Sequence, residues 1–202
     1  AGPEGLTLAP RIAEALHKLH LAGIAPHRRH TLSDELRILD ERLAVVARQV
    51  PAWGGRIQRI LAACHKLGAA VPEAPSCGIH RDFYADQIIV DRDRLYLLDF
   101  DLYCKGNPAL DVGNFLGHLA EQSVRTLSRP DALADREQAL LTRYAELAGE
   151  AAASVRVYAI LTLIRHIAVS MQFPVRRPFT ELLMNLGEEL LGIAQASSPL
   201  RC

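Results

Sequence analysis

Lysine is scarce in this sequence, and basic charge is not in excess. Lysine occurs only at Lys18, Lys66 and Lys105, and 23 basic side chains balance 23 acidic ones among the 202 residues. Domains that bind nucleic acid usually carry a basic surface that matches the phosphate backbone. The balanced charge therefore argues against nucleic acid as a partner.

Regularly spaced cysteines and long apolar runs are also missing. Cys64, Cys77, Cys104 and Cys202 show no CxxC spacing, which predicts neither a zinc site nor a disulfide framework and favours a reducing, cytoplasmic location. No apolar run approaches the roughly 18–20 residues of a membrane-spanning helix, so we expect no membrane partner. The opening residues, A-G-P-E-G-L, lack both a methionine and an apolar signal segment, which is typical of a fragment or a processed chain.

Helical periodicity covers most of the chain. Half of the residues are apolar, enough for a substantial core, and they recur at intervals of three and four in seven segments. Thr31-Leu-Ser-Asp34 has the pattern of a capping box, and Asn107-Pro108 that of a cap followed by a first helical residue. We predict helices near 11–22, 31–50, 57–68, 108–127, 130–148, 152–172 and 178–194.

Between the third and fourth helices the period changes to that of β-strands. Two short β-type runs, 88–90 and 95–98, flank the polar sequence Asp91-Arg-Asp-Arg94. This pattern predicts a β-hairpin with a four-residue loop. The predicted fold is therefore mainly α with one small β-hairpin.

The hairpin would bring two polar segments together. If its strands pair symmetrically around the turn, Gln87 lies opposite Leu98 and Asp86 opposite Asp99, with Cβ atoms of opposed residues about 5 Å apart. The loop before the hairpin and the segment after it would then lie side by side at the open end of the hairpin. We call this place the mouth. The polar side chains expected there are Asp82, Gln87, Asp99 and Asp101.

Carboxylates that converge in this way need a counter-charge, because like charges repel and raise one another's pKa. A few hard oxygen ligands suit Mg²⁺, whose shell is completed by water and substrate phosphates. A carboxylate that does not bind the metal can accept a proton from an attacking hydroxyl. Taken singly, Asp91 and Asp93 read as turn residues and His80 as a hydrogen-bonded core histidine, but the combined pattern favours a catalytic site.

These motifs resemble the C-terminal lobe of kinases of the aminoglycoside phosphotransferase and choline kinase type, a branch of the protein-kinase-like fold. H-R-D-F-Y-A-D-Q at 80–87 is similar to the catalytic loop H-x-D-x-x-x-x-N, and L-L-D-F-D at 97–101 to the metal-binding segment. N-P-A-L-D at 107–111 is similar to D-P-x-x-D, and the helix at 11–21 to one rich in A-L-x-x-L-H. The likeness covers roughly residues 10–195.

The resemblance implies a kinase that moves the γ-phosphate of ATP or GTP to a hydroxyl of a sugar, an aminoglycoside-like compound or an amino-alcohol. It implies Asp82 as the catalytic base, and Gln87 and Asp99 as the Mg²⁺ ligands beside the nucleotide phosphates. Asp101 would add a metal ligand or line the cleft.

Four further positions follow from the same resemblance. His80 would brace the loop, and Asp111 would be a buried carboxylate that holds the loop backbone. Gln87 stands where the family usually has Asn, although maltokinase-like relatives also use Gln. Arg81 stands where the family usually has Gly, and two interpretations stay open: it pairs with a phosphate or an acidic neighbour, or it caps loop carbonyls.

No counterpart of the small lobe of such kinases is visible upstream. The sequence has no G-x-G-x-x-G, no five-strand pattern before residue 80, and upstream lysines only within predicted helices. We therefore expect residues 1–202 to form one C-terminal lobe that lacks its N-terminal lobe and is inactive or nearly inactive alone. Its parts would be substrate-side helices at 31–70, the catalytic loop and metal-binding hairpin at 80–101, and a helical core at 108–195.

The acceptor is open at this point. Tyr84 and Tyr103 flank the expected cleft and could stack on a sugar or a base. An aminoglycoside would need an acidic lining, although a solvated helix face explains most of the candidates. Those candidates are Asp34, Glu35, Asp40, Glu41, Asp86, Glu181, Glu188 and Glu189.

Two other functions are compatible with parts of the pattern. A kinase-like binding or regulatory module is favoured by the missing lobe and by Gln87, and opposed by the intact Asp82 and Asp99. A metal-dependent glycosyltransferase ranks lower, because it would place an α/β nucleotide-binding domain before Asp99-Phe-Asp101, and helices precede it instead.

Overall fold

The computed structural model describes residues 4–72 and 75–194, which form seven α-helices and two two-stranded antiparallel sheets. The predicted fold class, mainly α with a β-hairpin, is confirmed; Cys202 and the end of the predicted core segment at 195 lie outside the described residues. The helices are α1 Glu4–Leu21, α2 Leu32–Gln49, α3 Gly54–Ala69, α4 Ala109–Leu127, α5 Ala134–Ala148, α6 Val155–Gln172 and α7 Thr180–Leu190. The strands are β1 Cys77–Ile79, β2 Ile88–Asp91, β3 Arg94–Leu97 and β4 Cys104–Gly106.

The predicted caps of α2 and α4 are present. The Thr31 hydroxyl accepts a hydrogen bond from the Asp34 N–H at 3.3 Å, and the Asp34 carboxylate accepts one from the Thr31 N–H at 2.9 Å. Before α4, the side-chain oxygen of Asn107 accepts from the Ala109 N–H at 2.9 Å. Both helices therefore begin where side chains satisfy backbone donors that would otherwise be unpaired.

Helix α1 begins earlier than predicted. It starts at Glu4 and contains Pro10, which the sequence pattern had placed near its start. Leu8 and Ala9 pack against the core, and this burial extends the helix through the proline. Pro10 is the seventh residue of α1, so its missing N–H removes one interior backbone bond, and the helix continues through it.

Helices α4 and α6 form the centre of the core, as the apolar composition of 155–167 predicts. Their backbones approach closely at two glycines of α4. A Cβ atom on Gly113 would lie 2.4 Å from Tyr158 Cβ and 2.8 Å from the Ala159 backbone nitrogen. A Cβ atom on Gly117 would lie 2.6 Å from Thr162 Cβ, so this contact admits no side chain at either position.

The β2–β3 hairpin has the predicted register but a tighter turn. Val90 pairs with Leu95, and the pairing continues to Asp91 with Arg94, which leaves a two-residue loop instead of the four-residue loop. Arg92 supplies the positive φ of 51° that such a short connection requires. The ladder extends at its other end, where the N–H of Leu98 donates to the carbonyl of Gln87 at 3.0 Å.

A second ladder, between β1 and β4, was not predicted. It pairs Ile79 with Cys104 and Cys77 with Gly106, and each strand has only three residues. Runs this short carry no readable alternation of polar and apolar residues. The ladder leads directly into the 80–87 loop on one side and into the cap of α4 on the other. Among the described residues, no helix is both long enough and apolar enough to cross a bilayer.

Adding one methyl group at the α4–α6 contact tests this packing. We expect Gly113→Ala to lower the free energy of unfolding by about 1–3 kcal/mol, because the added Cβ meets backbone as well as side-chain atoms. The matched control is Gly54→Ala at the start of α3, where nothing lies within 4 Å of the added atom. Urea denaturation should show the control within about 1 kcal/mol of the unmutated chain, on the stabilising side; equal losses in both variants would contradict the close contact.

Candidate active site

Asp111 holds the backbone of the 80–87 loop. Its side chain projects from the first turn of α4 and is fully buried. One carboxylate oxygen accepts from the Arg81 N–H at 2.7 Å, and the other accepts from the His80 N–H at 2.8 Å and from His20 Nε2 at 3.0 Å. The hydroxyl of Tyr144 in turn contacts His20 Nδ1 at 3.2 Å. This is the geometry that the resemblance implies for the buried carboxylate.

Arg81 takes a left-handed backbone conformation, with φ of 73°. Its N–H is held by Asp111, and its carbonyl accepts a hydrogen bond from the side chain of Asn114. Glycine adopts this conformation without strain, whereas an arginine needs contacts of this kind to hold it. The left-handed backbone conformation therefore accounts for the glycine that the family usually has at this position. In this chain Asp111 and Asn114, two buried residues of α4, stabilise the same turn.

The guanidinium of Arg81 makes no hydrogen bond to a loop carbonyl within residues 4–72 and 75–194. Its charge acts instead on Glu35, a buried residue of α2. Burial would raise the pKa of Glu35, but the hydrogen bond from His30 and the charges of Arg165, His30 and Arg81 keep that pKa below its usual range. The capping interpretation is therefore not seen, and Arg81 forms no ion pair with Glu35 among the described residues, so its pairing with a phosphate or an acidic neighbour stays a prediction.

His80 joins the loop to the segment that follows the hairpin. The imidazole is fully buried, and its Nε2 donates to the carbonyl of Leu98 at 2.7 Å. The ring also packs against Phe83 and Phe100, with centroids 5.4 and 4.9 Å away. His80 thus braces the backbone immediately before Asp99.

The pKa of Tyr84 shows which charged and polar groups lie near its side chain at the mouth. Burial raises its pKa, and the negative charges of Asp82, Asp86 and Asp99 raise it further, while a hydrogen bond with the Gln87 side chain opposes them. Three carboxylates and the amide therefore surround one phenol. The structure thus brings Asp82, Asp99 and Gln87 to the same place.

Asp99 and Asp101 form a tight turn after the hairpin. Asp99 has φ of 56°, and its side-chain oxygen accepts from the Asp101 N–H at 3.3 Å. Both residues are exposed. The carboxylate of Asp101 makes no hydrogen bond or ion pair within the described part of the chain, so its predicted place among the metal ligands stays a prediction.

The donors at the mouth suit Mg²⁺. Within the described ranges, no three His, Cys, Asp or Glu side chains are grouped to hold a metal ion. The protein therefore offers a small set of oxygens, from the amide of Gln87 and the carboxylate of Asp99 with Asp101 nearby. Hard oxygens in small number fit an ion that keeps several waters and takes its other ligands from phosphates.

A cavity of about 470 Å³ opens beside Asp82. We call it the acceptor cavity. Its walls come from α2, from α6 and the residues after it, and from the 80–87 loop. Helix α4 adds Phe115, His118, Leu119, Gln122 and Arg125, which sequence reasoning did not assign. Their recurrence every three or four residues marked them as one face of a helix but not as a cavity wall.

Only some of the residues that were considered for an acceptor site line the cavity. Tyr84 lines the cavity, but the Tyr103 hydroxyl donates to the Ile24 carbonyl at 3.0 Å and lies outside it. Among the eight acidic candidates for a lining, Asp86 alone is in the wall. Most of the others are paired elsewhere, as Asp40 is with His65.

Two histidines in the cavity wall are held neutral. His118 stacks on Tyr84 with centroids 4.5 Å apart and meets the ring of His166 edge-on at 4.5 Å. Burial, and after it the charges of Arg165 and Arg176, lower the pKa of His118 to about 3. The pKa of His166 is also lowered, first by burial and then by His118 and the same arginines.

The chain matches a known protein family in sequence and several solved structures in fold. Residues 3–159 match the model of a family described as the phosphotransferase enzyme family. A search of curated proteins found no match. Solved structures with a similar fold include a choline/ethanolamine kinase family protein from Mesorhizobium loti, with 19% identity and a TM-score of 0.67. The match covers 98% of this chain and 66% of that one.

Two other solved structures share the fold. Choline kinase LicA from Streptococcus pneumoniae has 13% identity and a TM-score of 0.63, over 94% of this chain and 65% of that one. A glucosamine kinase in complex with glucosamine, ADP and inorganic phosphate has 19% identity and a TM-score of 0.58, over 94% and 50%. The chain thus spans between half and two-thirds of the length of these proteins.

The buried histidines predict a pH-dependent stability. Below about pH 6.5 the unfolded chain protonates His118, whereas the folded chain, with a pKa of about 3, does not. The unfolded state then binds more protons, so the free energy of unfolding falls as the pH falls. From pH 7 to pH 5 the loss from His118 is about 2 kcal/mol, and His166 acts in the same direction.

Denaturant titrations at several pH values measure this loss. His118→Gln should make the decline between pH 7 and pH 5 shallower, whereas His27→Gln, which replaces an exposed histidine, should leave it unchanged. The same pH dependence in His118→Gln as in the unmutated chain would contradict the neutral, buried state of this side chain.

Proposed function

The chain belongs to the phosphotransferase enzyme family, and we propose that it is the catalytic C-terminal lobe of a small-molecule kinase. The proposed reaction moves the γ-phosphate of ATP or GTP to a hydroxyl group of a small acceptor. The observation that carries the proposal is the position of Asp82. It lines the acceptor cavity on one side and shares the mouth with Gln87 and Asp99 on the other.

Asp82 is the proposed base. An acceptor bound in the cavity would direct its hydroxyl toward this carboxylate, which takes the proton as the oxygen bonds to phosphorus and the nucleoside diphosphate leaves. The bonds from Asp111 and Asn114 fix the backbone on both sides of Arg81, directly before Asp82. That rigidity would keep the carboxylate in line with the incoming hydroxyl.

Gln87 and Asp99 are the proposed ligands of Mg²⁺, with Asp101 as a third candidate. When bound, the ion supplies positive charge that stabilises the phosphates during transfer. Gln87 is almost fully buried, and its backbone N–H donates to the carbonyl of Tyr84 at 3.0 Å, which fixes the backbone of the proposed ligand. His80 fixes the carbonyl of the residue before Asp99, which limits the freedom of that ligand.

A small N-terminal lobe is the proposed partner of this chain. Large apolar side chains that stay partly exposed cluster on the hairpin and on the segment after it, where such a lobe would cover the nucleotide. We expect the 202 residues alone to show little or no ATP turnover. The exposed side chains are Ile89, Val90, Tyr96, Leu98, Phe100 and Leu102.

A binding or regulatory module remains the second candidate. Gln87 in place of the usual Asn favours it. The joint placement of Asp82 and Asp99 opposes it, because a module that only binds has no use for a base beside the acceptor cavity. Mg²⁺-dependent nucleotide binding by a form that carries the small lobe separates the two candidates, since no binding by that form would point to the module.

Calorimetric titration of the chain with ATP and with GTP, each with and without Mg²⁺, tests the proposal. We expect binding that requires Mg²⁺ and that Asp99→Ala weakens by about tenfold or more, since a charged ligand of the ion is lost. The matched control is Asp93→Ala in the exposed hairpin turn, which should bind as the unmutated chain does.

Two results would count against the proposal. One is a chain that binds neither nucleotide with Mg²⁺. The other is an Asp99→Ala variant with the same affinity as Asp93→Ala, which would place the nucleotide away from the mouth.

A further inference from the structure

The acceptor cavity is rich in arginine. Five guanidinium groups line it, whereas three carboxylates do, one of them being Asp82, the proposed base. Two of them, Arg165 and Arg176, add to the burial that lowers the pKa values of the two histidines in the wall. The arginines are Arg42, Arg81, Arg125, Arg165 and Arg176.

Internal ion pairs neutralise only part of this charge. Arg125 donates to the buried Glu121 at 2.7 Å. Arg165 donates to Glu35 at 3.3 Å and to Asn114 at 3.1 Å. Arg42 forms no ion pair within residues 4–72 and 75–194.

Arg81 and Arg176 also lack ion pairs among the residues that the structure describes. Arg176 lies over the ring of Phe173, 5.2 Å from its centroid, a contact that leaves its charge uncompensated. Three cationic side chains from α2, the 80–87 loop and the segment after α6 therefore face one cavity without an internal counter-ion.

His166 adds a polar side chain to the cavity wall, where it is 4% exposed. Its Nε2 is buried and has no hydrogen-bond partner in the described structure. A buried polar atom without a partner is costly, so the described residues do not fully satisfy the polar groups around this wall.

We propose that the acceptor of this kinase is a hydroxyl compound that also carries an anionic group, a carboxylate or a phosphate, which the arginines bind. The inference rests on the proposed function, in which Asp82 takes the proton of the acceptor hydroxyl. Guanidinium groups bind carboxylate and phosphate through paired hydrogen bonds, so the anionic group would anchor the compound and orient its hydroxyl toward Asp82.

The lining is unsuited to a cationic acceptor. A quaternary ammonium group binds against open aromatic faces. Here Arg176 covers Phe173, and His118 stacks on Tyr84. Of the three carboxylates, Glu121 is bound to Arg125, and Asp86 is exposed at the rim.

Calorimetry with matched sugars tests the inference on the 202-residue chain. The probes are glucose, gluconate, glucose 6-phosphate and glucosamine, at low ionic strength and without nucleotide. We expect at least one of the two anionic compounds to bind about tenfold or more tightly than glucose, and glucosamine to bind no better than glucose. The gluconate and glucose 6-phosphate titrations show which anionic group the cavity takes.

Variants connect the preference to the arginines. Replacing both unpaired outer side chains, Arg42→Gln with Arg176→Gln, should reduce the preference for the anionic compound to about threefold or less. Arg48→Gln, an exposed arginine of the same helix as Arg42 but outside the cavity, should leave it unchanged. Circular dichroism establishes that the variants are folded.

Several outcomes would overturn the inference. They are equal or tighter binding of glucose or glucosamine, no measurable binding of either anionic compound, and the same loss in Arg48→Gln as in the double variant. Titrating the unmutated chain with the nucleotides and with the sugars separates the two proposals. Nucleotide binding without an anion preference would overturn this inference alone, whereas an anion preference without nucleotide binding would overturn the proposed function alone.

Discussion

The carboxylate of Asp111 is the interaction on which the site depends. It lies at the start of α4 and accepts hydrogen bonds from the backbone of His80 and Arg81 and from His20 of α1. Hydrogen bonds to a charged group contribute about 1.5–3 kcal/mol each, and removal of a buried acceptor leaves its donors unpaired. One side chain thus joins the first helix, the 80–87 loop and the central helix of the core.

A chain of polar contacts extends from this point to the acceptor cavity. Asn114, one turn after Asp111, holds the Arg81 carbonyl and accepts from Thr162 and Arg165 of α6. Arg165 continues to Glu35 of α2. The contacts that set the left-handed turn before Asp82 therefore also set the cavity wall, and the close α4–α6 packing at the glycines makes this arrangement rigid.

Much of this architecture could be predicted from local patterns. The register of the hairpin follows from the position of its polar turn between two short β-type runs. The capping box at Thr31 depends on side chains only three residues apart, so the sequence shows it directly. The β1–β4 ladder could not be predicted, because each strand has only three residues and pairs across about two dozen positions. The hairpin loop was predicted two residues too long, since nothing in the pattern shows that Arg92 adopts a positive φ.

The positive charge of the acceptor cavity could not be predicted from the sequence, for a different reason. Its arginines come from α2, α4, α6 and two loops, and each of them alone reads as a solvated surface residue. The acidic candidates were visible in the sequence, but their pairing with residues far along the chain, such as Asp40 with His65, was not. Which charges remain unpaired depends on tertiary contacts.

The central claim is that nucleotide phosphates and a divalent ion bind at the mouth beside Asp82. Paramagnetic relaxation by Mn²⁺·ATP tests it most directly, because Mn²⁺ accepts the same oxygen ligands as Mg²⁺ and broadens nearby amide signals. The account predicts the strongest broadening at residues 82–87 and 98–101. The strongest broadening elsewhere, or uniform broadening across the chain, would contradict it.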